Sequence, residues 1–421
     1  MILLSRPSSD VVFSADSEHD SKMQSAHIVE PGRPLELKSH PIPEVPDEGL
    51  LIKTLYAGVC HSDIHFIDDE IDIGNGNVFR RRDIPGKVCG VCGENNNISK
   101  GGACAGGSPY EGVVLGHEIC GTIMAVGSKV PDRCRLKPGD TVIVYPWRGC
   151  RGCEACTMGS GNLCENNPGG REDVGQGHHG GGYSTHVAIP EWDLAVKLPK
   201  NISPDVGCML PCSVLTSYSA LLKVRPNLDL AVRMRGSANL LVIGAGGLGF
   251  WTIVLVKSLF CDKNVTIVVA DISQDKLTEA SNIGADDAVL WNPDDDIQTL
   301  VTKTTVSGYN KIDAAIDYVG LPKTCDVGIQ CLHNGGAMVT VGLRGGAISL
   351  SLPLIISKSL SIHGIRIGPR EGLQQLVDLF SVQDLQTVPP IEYYKLEEVN
   401  IALDKLRDGQ IKARAVIKFV D

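Results

Sequence analysis

The chain has 421 residues, 43 % hydrophobic and 21 % charged, enough for two domains with proper cores. A net charge of −10 and a pI near 5.6 argue against nucleic acid or an anionic membrane as partner. No apolar run approaches the length of a membrane span, the strongest being Phe250–Val256.

Residues 1–22 lack a long apolar stretch and carry several acids, so they read as neither a secretory signal nor a mitochondrial presequence. They are expected to form a disordered extension. From Met23 to about residue 200, short β-rich runs such as GLLIKTLYAGV, EICGTIMAVGS and DTVIVYP are broken by Gly and Pro, which predicts an irregular β domain. The texture then changes. NLLVIGA, VTIVVAD, DAVLW, KIDAAIDYVG, AMVTVGL and LSIHGI are six apolar, β-branched runs. Helical patterns such as DKLTEASNIG and IQTLVTKTTV lie between most of them. Buried strands alternating with helices predict an α/β, doubly wound parallel sheet. EGLQQLVDLFSV and LEEVNIALDKLRDG read as two further helices and ARAVIKFV as a last strand, folding back onto the first domain. The expected division is 23–212 with 366–421 for the β domain and 213–365 for the parallel sheet.

Four cysteines fall within Gly149–Cys164: Cys150, Cys153, Cys156 and Cys164, spaced C-x2-C-x2-C-x7-C. The short gaps bring successive sulfurs to one point, and the longer gap turns the chain back to close a tetrahedron. That pattern suits a closed, structural Zn2+ site. An iron–sulfur cluster also uses close cysteines, but Glu165 stands where its pattern carries proline. Disulfides between x2 neighbours would close small, strained loops. A four-cysteine zinc is coordinatively full, so it staples a lobe and leaves the chemistry to other residues. The total of 15 cysteines, with this metal-type spacing, argues for a reducing compartment, taken as the cytoplasm.

VIGAGGLG supplies G-x-G-x-x-G at Gly244, Gly246 and Gly249, with Gly247 between. A lone match is weak in a chain with 47 glycines. Here it follows a predicted strand, opens a predicted helix, and precedes a second strand ending in Asp271. In that context Gly244 makes the turn, Gly246 admits a pyrophosphate to the backbone, and Gly249 lets helix and strand pack closely. The carboxylate of Asp271 can accept both ribose hydroxyls and would repel a 2′-phosphate, so NAD is favoured over NADP. Lys276 could cover the same ribose.

A second constellation, in YAGVCHSDIH and LGHEICG, offers Cys60, His61, Ser62, Asp63, His65, His117 and Glu118. A catalytic zinc takes three protein ligands and keeps one position open. Cys60 and His117 are the obvious pair. Cys212, in LPCSVLTSYSALLKV at the seam between the domains, is a third candidate.

In their order along the chain, GVCHSD, GHE, the four-cysteine lobe, a Cys before T-x-Y, GxGxxG with its Asp, and the final R-A-V-I resemble the zinc-containing alcohol dehydrogenases of the medium-chain dehydrogenase/reductase superfamily. The resemblance runs from Met23 to the end. It implies a GroES-like β domain and a Rossmann domain, two Zn2+ per chain, NAD, and reversible hydride transfer between an alcohol and an aldehyde or ketone. It implies a homodimer or homotetramer, with LSIHGI as a possible pairing edge. Cys60, His117 and Cys212 would hold the catalytic zinc, Asp63 would orient His117, and Glu118 would sit behind the metal. Ser62 would bind the alcohol oxygen and pass its proton through the nicotinamide ribose to His65. His61 and Arg414 would face the pyrophosphate, and Thr216 the nicotinamide.

Two departures stand out. Val214 crowds the turn after Cys212, where Cys208 is a rival ligand. The segment between His65 and His117 carries an insertion, Asp69–Gly107, rich in Gly and Asn and bearing Cys89, Cys92 and Cys104. It reads as a flexible loop with incidental thiols, rather than as a third metal site, and is expected to govern which alcohols enter. A polyol dehydrogenase is the alternative within enzymes. A catalytically silent zinc- and NAD-binding protein, and a zinc-ribbon nucleic-acid binder, are the alternatives outside that class.

Overall fold

The computed structural model describes residues 22–80 and 113–420, apart from 168, 169, 171, 178, 262, 307–311, 384 and 386. Cys89, Cys92, Cys104 and nearly all of the expected extension lie outside the described residues.

The first half is built of β1 (Lys22–His27), β2 (Glu36–Pro41), β3 (Leu50–Val59), α1 (His61–Asp68), β4 (Ile71–Gly74), β5 (Asn77–Phe79), β6 (Glu118–Val126), β7 (Thr141–Val144), α2 (Glu154–Thr157), β8 (His186–Ile189), β9 (Ala195–Lys197) and α3 (Pro204–Gly207). A single π-turn, Leu210–Val214, runs into the long helix α4 (Leu215–Arg235). The second half alternates: β10 (Ala238–Ile243), α5 (Gly247–Leu259), β11 (Val265–Asp271), α6 (Gln274–Asn282), β12 (Asp287–Leu290), α7 (Ile297–Val306), β13 (Ile312–Asp317), α8 (Pro322–Cys331), β14 (Leu332–Thr340), α9 (Leu352–Lys358) and β15 (Ser361–Gly364). The tail adds α10 (Arg370–Val382), β16 (Ile391–Tyr394), α11 (Val399–Arg407) and β17 (Arg414–Lys418).

Two large sheets result. One, largely antiparallel, runs β16-β17-β3-β6-β7-β9, with β8 also on β3, so the C-terminal strand lies directly beside β3. The other is wholly parallel, in the order β12-β11-β10-β13-β14-β15. Its central strands are buried on both faces because helices cover both, and Ile312–Asp317 is buried at every residue. The order reverses between β10 and β13, so the carboxyl ends of these two strands open the crevice where a doubly wound sheet takes its ligand. The hydrophobic core is continuous across the seam. Ile52, Ile143 and Leu198 of one half connect through Leu210, Cys212 and Leu215 to Phe250, Trp251 and Leu373 of the other.

The expected loop Asp69–Gly107 departs from its reading at the start. Residues 71–79 form an antiparallel hairpin, turned at Asn75 and Gly76, both with positive φ. The sequence GNGN was read as flexibility, whereas Asn-Gly supplies the left-handed backbone a tight hairpin requires. The hairpin rests on the parallel-sheet half. Gly346 N–H donates to the Asp72 carbonyl at 3.1 Å, and a Cβ at Gly74 would lie 2.5 Å from that of Ala347.

Candidate metal and dinucleotide sites

Cys60 is the N-cap of α1, in extended backbone, and Asp63 is the third helical residue. That spacing lets one Asp63 oxygen accept the Cys60 N–H at 3.1 Å, fixing the strand-to-helix corner. The same oxygen accepts the Tyr183 hydroxyl at 2.7 Å, and the other accepts from His117 Nδ1 at 3.0 Å. A fully buried carboxylate is thereby satisfied, and Nδ1 is fixed as the nitrogen that donates to it, leaving Nε2 as the one a metal would take. Gln176 Nε2 also lies 3.0 Å from Nδ1, and the Trp147 ring packs 5.3 Å from the imidazole. His117 enters from the start of β6 and Cys212 from the π-turn.

Cys60, His117, Glu118 and Cys212 present ligand atoms within 4.8 Å of one another, all four residues buried. His117 Nε2 stands 3.2 Å from Cys212 Sγ, and Ser62 Oγ stands 3.1 Å from Cys60 Sγ. Glu118 Oε1 is buried with no hydrogen-bond partner, while its other oxygen pairs with Arg414 Nη2. Gly58 makes room for that carboxylate, since a Cβ there would lie 1.9 Å from Oε2. Two thiols, an imidazole and an orphaned carboxylate oxygen converging in a dry pocket fit a divalent zinc. Burial raises the Glu118 pKa to about 7 despite the Arg414 charge. Burial alone would lower the His117 pKa, but the Asp63 charge and hydrogen bond raise it well above its ordinary value. Cys208 is not part of the cluster; its thiol donates to the Asp205 carbonyl at 3.0 Å. Val214 is fully buried on the same turn as Cys212.

Cys150, Cys153, Cys156 and Cys164 form the other cluster, again within 4.8 Å. Arg151, with φ of 61°, and the single turn of α2 fold the x2 gaps inward. Cys164 Sγ accepts from the Cys150 N–H at 3.2 Å; Cys150 Sγ accepts from Cys153 N–H at 3.3 Å and from Asn166 at 3.2 Å. N–H donors of this kind, led by that of Gly152, lower the Cys150 pKa to about 6. They favour the thiolate a zinc requires.

On the parallel sheet, Gly244 turns out of β10 with φ of 98°, and α5 begins at Gly247. A Cβ at Gly249 would meet the Gly244 carbonyl oxygen at 2.1 Å, whereas one at Gly246 would meet nothing within 4 Å. The turn is tight behind and open in front, as a cradle for a pyrophosphate at a helix N-terminus must be. Asp271 ends β11; its two oxygens accept from Ala245 N–H at 2.7 Å and Ser273 N–H at 2.9 Å, so it also braces the turn. Lys276 lies in the first turn of α6, half-buried, and Thr216 is buried at the start of α4. His61 and His65 lie one turn apart on α1 with ring centroids 5.7 Å apart. Arg414 bridges the two sites: its guanidinium pairs with Glu118, and its Cδ would lie 2.5 Å from a Cβ at Gly247.

Tyr183, Gln176 and Trp147 were missed in the sequence. Trp147 stood next to the cysteine lobe and Tyr183 after a run of glycines, so each had a local signal; Gln176 had none. Asp317 was missed too. It is buried at the end of β13 and binds Val319 N–H, Gly320 N–H and the Thr324 hydroxyl, shaping the crevice rim.

The family model for zinc-binding dehydrogenases matches residues 247–382, and that for the alcohol dehydrogenase GroES-like domain matches residues 83–200. An NAD-dependent alcohol dehydrogenase of Sulfurisphaera tokodaii is 30 % identical over 399 residues, spanning 94 % of this chain and 99 % of that protein. One from Saccharolobus solfataricus is 29 % identical over the same shares. Among solved structures, the alcohol dehydrogenase of Aeropyrum pernix superposes with a TM-score of 0.70 at 25 % identity, covering 94 % of this chain and 99 % of the other. The acetophenone reductase of Geotrichum candidum in complex with NAD shares the fold, with a TM-score of 0.70 at 23 % identity over 94 % and 97 %. The chain belongs to the zinc-containing alcohol dehydrogenases of the medium-chain dehydrogenase/reductase superfamily, with a GroES-like β domain and a Rossmann domain.

Proposed function

We propose that this chain exchanges a hydride between an alcohol and NAD, giving an aldehyde or ketone reversibly, at a zinc held by Cys60, His117 and Cys212. The convergence of these three side chains with Ser62, at the seam facing the Gly244–Gly249 turn, carries the reading. The bound groups supply Lewis-acid polarisation of the alcohol oxygen from zinc and hydride acceptance from NAD. Ser62 Oγ, beside Cys60 Sγ, accepts the hydroxyl proton. Through the nicotinamide ribose that proton would pass to His65, one turn along α1 and half-buried, and from His65 to water. Asp63 keeps His117 oriented, and the buried walls around Cys212 and Val214 exclude water. Glu118 stands behind the metal. Thr216 borders the nicotinamide, His61 and Arg414 take the pyrophosphate, and Asp271 with Lys276 takes the adenosine ribose. Cys150, Cys153, Cys156 and Cys164 hold a second, structural zinc. The proposed domain division is 23–212 with 366–421, and 213–365, supported by the membership of the strands in two separate sheets.

The insertion starting at Asp69 leaves the β domain one turn after His65, so it is placed to control which alcohols enter. Exposed Leu352, Ile356 and Ile362, on and beside the edge strand β15, support a homodimer or homotetramer built through that edge. None of the described cysteines is disulfide-bonded, and no described helix is long and apolar enough to cross a membrane. The unpaired cysteines, with their metal-type spacing, favour the cytoplasm. The test is NADH absorbance with a panel of primary, secondary, aromatic and polyol substrates, alongside zinc analysis. Active protein with one zinc or none per chain would overturn the two-site reading; no turnover of any alcohol would overturn the activity.

A further inference from the structure

One cation at the crevice has no assigned role. Arg344 lies on the loop that leaves the carboxyl end of β14, the side on which the sheet takes its ligand. Its backbone N–H donates to the Val319 carbonyl at 3.4 Å, and a Cβ at Gly244 would lie 3.1 Å from the Val319 side chain. Arg344 is thus one residue removed from the first glycine of the phosphate turn. Its charge reaches His61 and His65 of the β domain. Its neighbours are neutralised: Arg407 pairs with Asp68 and Asp404, and Arg414 with Glu118. Arg344 is exposed and forms no ion pair among the described residues.

The loop that carries it is held in place. Gly345 N–H donates to the Gly320 carbonyl at 3.1 Å, and Gly346 N–H to the Asp72 carbonyl of the hairpin at 3.1 Å. A Cβ at Gly345 would lie 2.3 Å from that Asp72 oxygen, so loop and hairpin meet backbone to backbone. A fixed backbone with a free guanidinium between a phosphate turn and two imidazoles is an arrangement for an anion. Planar, forked donors suit phosphate oxygens.

We propose that Arg344 is an anion-binding residue of the coenzyme site, contacting the dinucleotide pyrophosphate from the rim opposite His61, and that the β4–β5 hairpin holds its loop there. This rests on the NAD reading and adds a residue to it. The competing source of negative charge is a carboxylate on the substrate itself.

The test uses the full zinc-loaded chain and its Arg344→Ala and Arg344→Gln variants, titrated by fluorescence with NADH and, in competition, with ADP-ribose and adenosine. ADP-ribose keeps the pyrophosphate without nicotinamide; adenosine lacks both. Both variants are expected to melt with the wild type, since the side chain is exposed, and to bind NADH and ADP-ribose about tenfold more weakly, with adenosine unchanged. Dissociation constants for NADH and ADP-ribose within twofold of wild type would overturn the proposal. Unchanged ADP-ribose binding with a raised KM for the alcohol would also overturn it, and would assign Arg344 to a substrate carboxylate. Failure of the wild type to bind NADH would instead sink the coenzyme reading, and binding without alcohol turnover the activity.

Discussion

Asp63 is the residue on which the metal pocket turns. It caps α1, receives the Tyr183 hydroxyl and holds His117, all from a carboxylate with no solvent exposure. Asp63→Asn replaces one acceptor oxygen by a donor that must face an N–H or the tyrosine O–H. Zinc affinity at this site is expected to fall about 10- to 100-fold, read by chelator competition, with the four-cysteine zinc retained. Asp271 accepts from Ala245 and Ser273 N–H, beside the duty proposed for it toward the coenzyme. Asp271→Ala should therefore narrow the preference for NAD over NADP and also destabilise the fold by about 1–3 kcal/mol, measured by denaturant unfolding. A change in coenzyme preference without loss of stability would show that the two backbone bonds contribute nothing. The residues that converge at the pocket from GVCHSD and GHE, namely Cys60, Asp63, His117 and Glu118, were legible as a candidate set because helix capping and metal binding both call for short, fixed spacings. Gln176 was not, because it reaches His117 only through the tertiary fold.

Among the elements, the four-cysteine lobe and the hairpin answer opposite questions. The lobe is pinned by its sulfurs, so Cys153→Ala should lower the melting temperature by roughly 5 °C or more while NADH affinity persists. Melting at the wild-type temperature would mean the lobe holds no zinc. The hairpin is pinned by glycines. Gly74 has φ of 86° and backs onto Ala347, so Gly74→Val lifts the hairpin from the loop bearing Arg344. NADH binding is expected to weaken about three- to tenfold with the zinc content unchanged. Unchanged binding would separate the hairpin from the coenzyme site. The central parallel strands were readable as apolar runs because a sheet covered on both faces must be apolar there throughout. The hairpin was misread because Gly and Asn serve both disordered chain and left-handed turns. Its docking partner, Gly345–Ala347, lies far away in the sequence, so nothing local distinguished the two.

At the scale of the whole molecule, the two sheets share one core and one buried guanidinium. Arg414 begins the last strand of the β domain, yet it touches Gly247 of the phosphate turn and pairs with Glu118 behind the metal. If Arg414 takes the pyrophosphate as proposed, a dinucleotide at the turn would compete with Glu118 for the same cation. Drawing Arg414 toward the pyrophosphate would leave the Glu118 carboxylate with a zinc at Cys60, His117 and Cys212 as its nearest counter-charge, and that zinc would be held more tightly. Linkage makes the effect mutual: the factor by which NADH tightens zinc is the factor by which zinc tightens NADH. Zinc loss to a chelator should accordingly slow when NADH is present, and metal-depleted protein should bind NADH more weakly. In Arg414→Ala both effects should vanish together. Equal zinc affinity with and without NADH in the wild type would mean that the guanidinium stays with Glu118 throughout. If it does move, occupancy of the coenzyme crevice sets how readily the enzyme surrenders its metal, and an enzyme short of coenzyme is the one exposed to demetallation.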